Sequence, residues 1–166
     1  MTSDPIIDIH THFIPPEFVA DARAGRALDR IALQRRDGAE WLVHPQGYGY
    51  PLSPEFFDLE AKHREMERLG IDQAILSLTP TLFFYWLEAS AAADFCRQAN
   101  DSLATFVAAS DRLEGVAVVP LQDPEAAAAE LRRAVRELGL RGAEIGTTME
   151  KVPLDDPRFT AEVASG

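Results

Sequence analysis

A regular alternation of short β-branched runs with longer amphipathic stretches constrains this chain more than any other feature. That rhythm builds a parallel sheet, because parallel neighbours need a crossover of about a dozen residues or more, usually a helix. Four runs carry it. Residues 5–9 lead directly into His10, 71–78 stop at Thr79-Pro80, 115–119 stop at Pro120, and 142–145 stop at Gly146. Three helices are expected between them. The first opens at Ser53-Pro54-Glu55, an N-cap followed by a proline and an early acid. It carries Phe56, Leu59, Met66 and Leu69 at helical spacing and closes at Gly70. The second presents Ala92, Phe95, Ala99, Leu103, Phe106 and Val107 on one face. The third runs from Asp123-Pro124-Glu125 to just before Gly139, with Arg132, Arg133 and Arg136 where the helix dipole favours cations.

The rhythm breaks once. Residues 13–52 are far longer than an ordinary loop of about 2–6 residues between strand and helix. They hold Pro15-Pro16, the run Trp41-Leu42-Val43 and the turn-prone Gly47-Tyr48-Gly49-Tyr50-Pro51. The expectation is a small inserted subdomain, a short helix and a hairpin, within a domain that otherwise occupies 1–166.

Charge removes whole classes of partner. A formal net charge of -11 and a pI near 4.7 oppose nucleic acid and anionic membrane surfaces, which need basic patches. The one cysteine, Cys96, cannot form an internal disulfide, which suits a reducing compartment. No signal-like N-terminus and no apolar run of about 18 residues is visible, so a cytoplasmic protein is expected.

The sharpest local feature is Asp8-Ile9-His10-Thr11-His12. On a strand, residues i and i+2 point to one side, so His10 and His12 offer two imidazoles to the same space. Active sites of parallel α/β folds assemble at the C-terminal ends of the strands. Paired neutral imidazoles there suit Zn²⁺ or a similar divalent ion. The competing reading is a pair of histidines that merely alternate along a half-buried strand. Asp8 is assigned a structural hydrogen bond, on the reading that it faces away from both histidines. His63 falls on the apolar stripe of the first helix and is read as a packing residue. His44 sits in the insertion, either as an exposed loop residue or as a substrate contact. Cys96, beside Phe95 and Ala99, is read as buried and inert. Residues 79–86 follow the second strand, and their aromatics, Phe84 and Trp86 among them, either wall a planar substrate or close the mouth of the fold. Glu144 faces either inward as a buried acid or outward toward a helix arginine. Asn100-Asp101 has no evident partner.

With these motifs in hand, the chain resembles the aminocarboxymuconate semialdehyde decarboxylase group of the amidohydrolase superfamily. The resemblance rests on 8–15, Arg64-Glu65-Met66, Phe84-Tyr85-Trp86, Asn100-Asp101, and Leu138-Gly139 leading to 142–147. It implies an α/β, TIM-barrel-type (β/α) metal-dependent hydrolase fold, here truncated to about four βα units with a small insertion after strand 1. A full barrel takes about 250 residues. It also implies one divalent metal, zinc first and manganese as the alternative, with His10 and His12 as the first two ligands. A histidine after strand five, another after strand six and an aspartate after strand eight would complete the family's site, and nothing in this chain matches them. No catalytic residue is therefore expected within it. The substrate-binding arginine that the group carries in its insertion is also missing from Trp41-Leu42-Val43-His44; His44 and Arg35-Arg36 are the nearest substitutes.

The implied activity is a metal-dependent carboxy-lyase, a decarboxylase acting on an unsaturated or aromatic carboxylic acid. The alternatives are a metal-dependent hydrolase of an amide, lactone or ester, and a non-catalytic α/β domain. The expected partners are the small-molecule carboxylic acid, contacted by His44, Phe84 and Trp86, and a second copy of the chain in a homo-oligomer. The isolated chain is expected to be inactive.

Overall fold

The alternation read from the sequence reappears in space as β1 (Ile7–Phe13), α1 (Pro16–Arg23), β2 (Ala32–Arg36), β3 (Ala39–Val43), β4 (Gly49–Pro51), α2 (Leu59–Leu69), β5 (Gln73–Leu78), α3 (Ala89–Ala108), β6 (Leu113–Gly115), α4 (Pro124–Arg136) and the short pair β7 (Thr148–Met149) and β8 (Val152–Pro153). This computed structural model describes residues 4–149 and 152–157. Residues 159–166, whose sequence reads as the start of a fourth helix, lie outside the described residues. The chain divides into two units, 13–71 and 1–12 with 72–166. No helix among the described residues is long and apolar enough to cross a membrane.

The second of these units holds a sheet in the order β1-β5-β6. β1 and β5 start side by side: the Ile6 carbonyl accepts from Asp72 N at 2.9 Å and Gln73 N at 3.2 Å, and Asp72 Oδ2 accepts from Ile6 N at 2.8 Å. Paired strands that begin together run in the same direction. β5 and β6 are parallel as well, in the register Ala74↔Leu113, Ile75↔Glu114 and Leu76↔Gly115. The third expected strand lies earlier than its apolar run suggested, over Leu113–Gly115 instead of 115–119. Beyond it Ala117 bridges Ala143 in parallel. Ala117 N donates to the Gly142 carbonyl and Glu144 N to the Ala117 carbonyl, so the fourth run takes its place as a minimal strand. Helix α3 buries Ala92, Phe95, Cys96, Ala99 and Leu103, the face its spacing foretold. Leu103 and Leu140 close on the Cα of Gly115, where an added Cβ would stand 3.1 Å and 3.0 Å from them.

A buried polar clamp ties α3 to this sheet and to α4. The Asn100 side chain accepts from Val118 N and donates to the Val118 carbonyl, both at 2.9 Å. In effect it serves as one residue of sheet partner. It also donates to Glu130 Oε1 at 2.7 Å. Glu130 is itself held by Arg133 at 2.7 and 2.8 Å, and Arg133 reaches Asp101 Oδ1 at 2.6 Å. The partners absent from the sequence reading of Asn100-Asp101 are therefore 18 to 32 residues away.

In the unit 13–71, β2, β3 and β4 form an antiparallel meander. The β2–β3 turn is Asp37-Gly38, both at positive φ (50° and 83°), the conformation that two-residue hairpins require. Helix α2 begins later than expected. Pro54–Phe56 forms a separate 3-10 turn, and the N-cap is Asp58, whose side chain accepts from Ala61 N at 2.7 Å. Ser53 makes no capping bond. The close at Gly70 is as read, in the left-handed region at φ 69°.

Replacing Asn100 by alanine would leave Val118 N–H, its carbonyl and Glu130 without their buried partner. The expected loss of stability is about 2–3 kcal/mol, measured by urea denaturation. A change below about 0.5 kcal/mol would show that the clamp is dispensable.

Candidate active site

His10 and His12 lie within β1, which continues through them to Phe13 instead of ending ahead of them. Their rings meet edge to face, centroids 4.9 Å apart at 75°. His10 is exposed and His12 half-buried, with His12 Nδ1 shielded from solvent. Asp8 requires a correction. It stands two residues before His10, so the period of a strand puts it on the same side as both imidazoles and not on the opposite one. Its Oδ1 accepts from His10 N at 3.0 Å, a local bond that steadies the backbone below the first ring.

Two converging imidazoles on one side of a strand fit adjacent positions around a divalent ion, whose ligand nitrogens lie about 2.0–2.1 Å away for zinc. They do not make a complete shell: among the described residues no group of three His, Cys, Asp or Glu side chains converges.

The segment after β5 forms an aromatic wall. Phe84 adopts a left-handed backbone, φ 51°, uncommon for a bulky residue. Its ring is fully buried, edge-on to Phe95 at 4.8 Å and to Trp86 at 5.5 Å. Its carbonyl accepts from Gln122 Nε2 at 2.8 Å. The turn sends the Phe84 ring into the core while Tyr85 and Trp86 line a cavity of about 360 Å³ with Glu144, Thr147 and others. Tyr85 Oη accepts from Gly146 N at 2.9 Å, and the ring lies so near Gly146 that a Cβ there would stand 3.0 Å from Cε2. Burial pushes the Tyr85 phenol up to about 12; the Gly146 bond works against that shift. Tyr85 therefore stays protonated at neutral pH.

Of the three residues expected to touch substrate, Trp86 alone presents its side chain, at 39% exposure. Phe84 is enclosed, so its role is to hold the loop. His44, in the unit 13–71, is 2% exposed and not an open loop residue. Its ring stacks on Tyr48 at 4.3 Å and 16°, and burial lowers its pKa, against the pull of Asp29. Its ring nitrogens have no hydrogen-bond partner among the described residues. His63 is half-buried on α2. Cys96 is buried, its thiol pushed up to about 12 by burial and by Glu130, which makes it inert. Glu144 is half-buried, lines the cavity and pairs with no helix arginine among the described residues. Tyr85 and Gly146 were missed as a pair, because 61 residues separate them and only the first stands in an aromatic cluster.

A parallel α/β sheet presenting paired imidazoles and an aromatic cavity beyond its strand ends is the arrangement that (β/α) barrels build at the C-terminal ends of their strands. The amidohydrolase family model matches residues 7–164, and the chain belongs to that family. It is 29% identical over 153 residues to the 2-amino-3-carboxymuconate-6-semialdehyde decarboxylase of Dictyostelium discoideum, covering 91% of this chain and 43% of that one. To the gamma-resorcylate decarboxylase of Rhodococcus jostii it is 38% identical over 113 residues, 67% of this chain and 34% of the other. Among solved structures, a dihydroxybenzoic acid decarboxylase from Polaromonas sp. JS666, with bound manganese and the inhibitor 2-nitroresorcinol, superposes with a TM-score of 0.70. That match has 29% identity and covers 98% of this chain and 46% of the other. The chain spans less than half the length of the curated relatives it matches.

The raised Tyr85 pKa sets a sign for alkaline stability. A phenol whose pKa rises from 10 to about 12 on folding stabilises the fold fully below pH 10 and loses that contribution as pH climbs toward about 12. Unfolding free energy is expected to fall across that window, and the fall should shrink in Tyr85→Phe. Equal slopes in both proteins would contradict the assignment.

Proposed function

We propose that this chain supplies the first two metal ligands and one wall of the substrate site in a metal-dependent decarboxylase acting on an unsaturated or aromatic carboxylic acid. The observation that carries the reading is the convergence of the His10 and His12 rings at 4.9 Å near the C-terminal end of β1, in a chain whose relatives are decarboxylases of such acids. Manganese or zinc is the proposed ion, the former supported by the manganese in the Polaromonas structure. When bound, such an ion supplies Lewis-acid polarisation of a carboxylate oxygen. His10 and His12 hold it through neutral imidazoles, and Asp8 fixes the backbone from which the first ring projects. Trp86 and Tyr85 offer the flat, largely apolar surface that a planar acid requires.

A hydrolase of an amide, lactone or ester would use the same paired ligands, and the decarboxylase relatives favour the lyase. Because the described residues offer two converging ligands and no cluster of three, the chain by itself is expected to bind metal weakly and to release no carbon dioxide. Robust turnover by this polypeptide alone would refute that account.

Competition against a chromogenic chelator tests the ligands. Alanine at His10 or at His12 is expected to weaken manganese or zinc binding by about tenfold or more, the equivalent of about 1.4 kcal/mol. Unchanged affinity in both variants would leave the histidines structural. Activity is tested by placing residues 7–149 into the Rhodococcus jostii gamma-resorcylate decarboxylase in place of its matching segment. Carbon dioxide release that disappears with His10→Ala supports the lyase; ester or lactone hydrolysis without carbon dioxide supports the hydrolase.

A further inference from the structure

The cavity beyond β5 has an unusual balance of groups. Its volume of about 360 Å³ lies at the small end of the ligand-pocket range, the size for one ring and its substituents. Phe83, Tyr85 and Trp86 give it aromatic faces, and Ile145 adds an exposed apolar edge. Among the described residues that line it, Glu144 brings the one charged group and none is Lys, Arg or His. No ion-pair partner for Glu144 occurs among the described residues. The Tyr85 hydroxyl oxygen already accepts from Gly146 N, so what it still offers is its own proton. Thr147, exposed on the rim, adds a hydroxyl of either sense.

We propose that this cavity is a hydroxyl-reading subsite: it receives the ring edge of an aromatic acid remote from its carboxylate, Tyr85 Oη donating to a phenolic oxygen whose own proton goes to the Glu144 carboxylate. The proposal rests on the decarboxylase reading for the identity of the acid. The chemistry selects among substituents. A hydroxyl both accepts and donates, and so satisfies both protein groups. A second carboxylate could accept from Tyr85 but would face Glu144 with no cation to offset the repulsion. A bare ring leaves the Tyr85 proton and the Glu144 carboxylate without partners once water is displaced, the arrangement by which sites reject analogues lacking a hydroxyl. Burial keeps the Tyr85 phenol protonated, with a pKa of about 12, and so keeps it a donor throughout the neutral range. Tyr85 and Glu144 are thus specificity-determining residues that select monocarboxylic hydroxybenzoates over dicarboxylates.

The test uses the 166-residue chain and ligands that do not need the metal. Resorcinol and isophthalate are titrated while the indole N–H resonance of Trp86 is followed by NMR, with Trp41→Phe assigning the two tryptophans. Resorcinol is expected to shift Trp86, with isophthalate at least about tenfold weaker. Glu144→Gln and Tyr85→Phe should each weaken resorcinol by about fivefold, one hydrogen bond's worth, and Glu144→Gln should narrow the gap to isophthalate. Equal binding of the two ligands, no resorcinol shift in the folded chain, or unchanged resorcinol affinity in both variants would overturn the proposal. His10→Ala should leave resorcinol binding intact, which separates the two readings. A chain whose metal affinity is the same in His10→Ala and His12→Ala yet which still discriminates refutes the decarboxylase reading alone. One that binds metal through the histidines but does not discriminate refutes the subsite alone.

Discussion

Parallel pairing of β1 with β5 is the constraint on which the site depends, and it is set at the end of the sheet opposite the chemistry. The Asp72 carboxylate accepts from Ile6 N while the Ile6 carbonyl takes Asp72 N and Gln73 N, so the two strands start in step. Strands that start in step and rise about 3.3 Å per residue also arrive in step. His10 and His12 therefore reach the same end of the sheet as the turn that begins at Pro80. The pairing of β5 with β6, and of Ala117 with Ala143, extends that alignment to the segment from Glu144 onward. Each candidate site residue stands near the C-terminal end of a strand or just past it because every neighbouring pair in this sheet runs the same way.

That alignment would be loose without the polar clamp behind it. The ladder between β5 and β6 is short, three residue pairs, and the fourth strand is a single bridge. Asn100 compensates by bonding both backbone groups of Val118, so a helix side chain takes over where a longer strand would have continued the ladder. Glu130 and Arg133 then fix Asn100 from α4. A buried carboxylate is costly alone, but Glu130 faces a bidentate guanidinium and an amide, and the network is satisfied at each end. The result is a rigid back to the wall that carries Tyr85, Trp86 and Glu144.

What could be read from the sequence divides along sequence distance. The order of strands and helices was legible because hydrophobic period is local, and H-x-H because two residues apart on a strand means one side. The same rule places Asp8 with the histidines, since the residue adjacent to His10 is Ile9. The helix start was misplaced because Ser53-Pro54-Glu55 and Asp58 both satisfy capping chemistry. Only the 3-10 turn at Pro54–Phe56 decides between them. The third strand slid toward its most apolar residues, whereas the ladder follows register with β5 and places Val118 and Val119 beyond it. The Asn100 clamp and the Tyr85–Gly146 contact join residues 18 and 61 apart and carry no local signature. The enclosure of Phe84 and His44 was illegible for a related reason: an aromatic residue in a loop looks the same in sequence whether it faces a ligand or the core.

Charge explains why histidines would suit this chain as the proposed metal-binding groups. The whole sequence carries a formal net charge of -11, and one of its carboxylates, Glu144, lines the cavity with no ion-pair partner among the described residues. An anionic acid approaching such a surface is repelled at long range. Attraction has to come from a local source strong enough to outweigh the average, and a divalent ion is such a source only while its charge remains uncancelled. Carboxylate ligands would neutralise it in part; neutral imidazoles do not. Placing His10 and His12 at the strand end, with the acidic Glu144 in the cavity wall, would give the proposed metal-loaded site a polarity along which a substrate orients. In the proposed site, the carboxylate end would be drawn to the ion held by the histidine pair, and the uncharged, proton-donating end would be tolerated at Glu144. A site with the polarity reversed, basic in the cavity and carboxylate-rich at the ion, would hold the same acid the wrong way round.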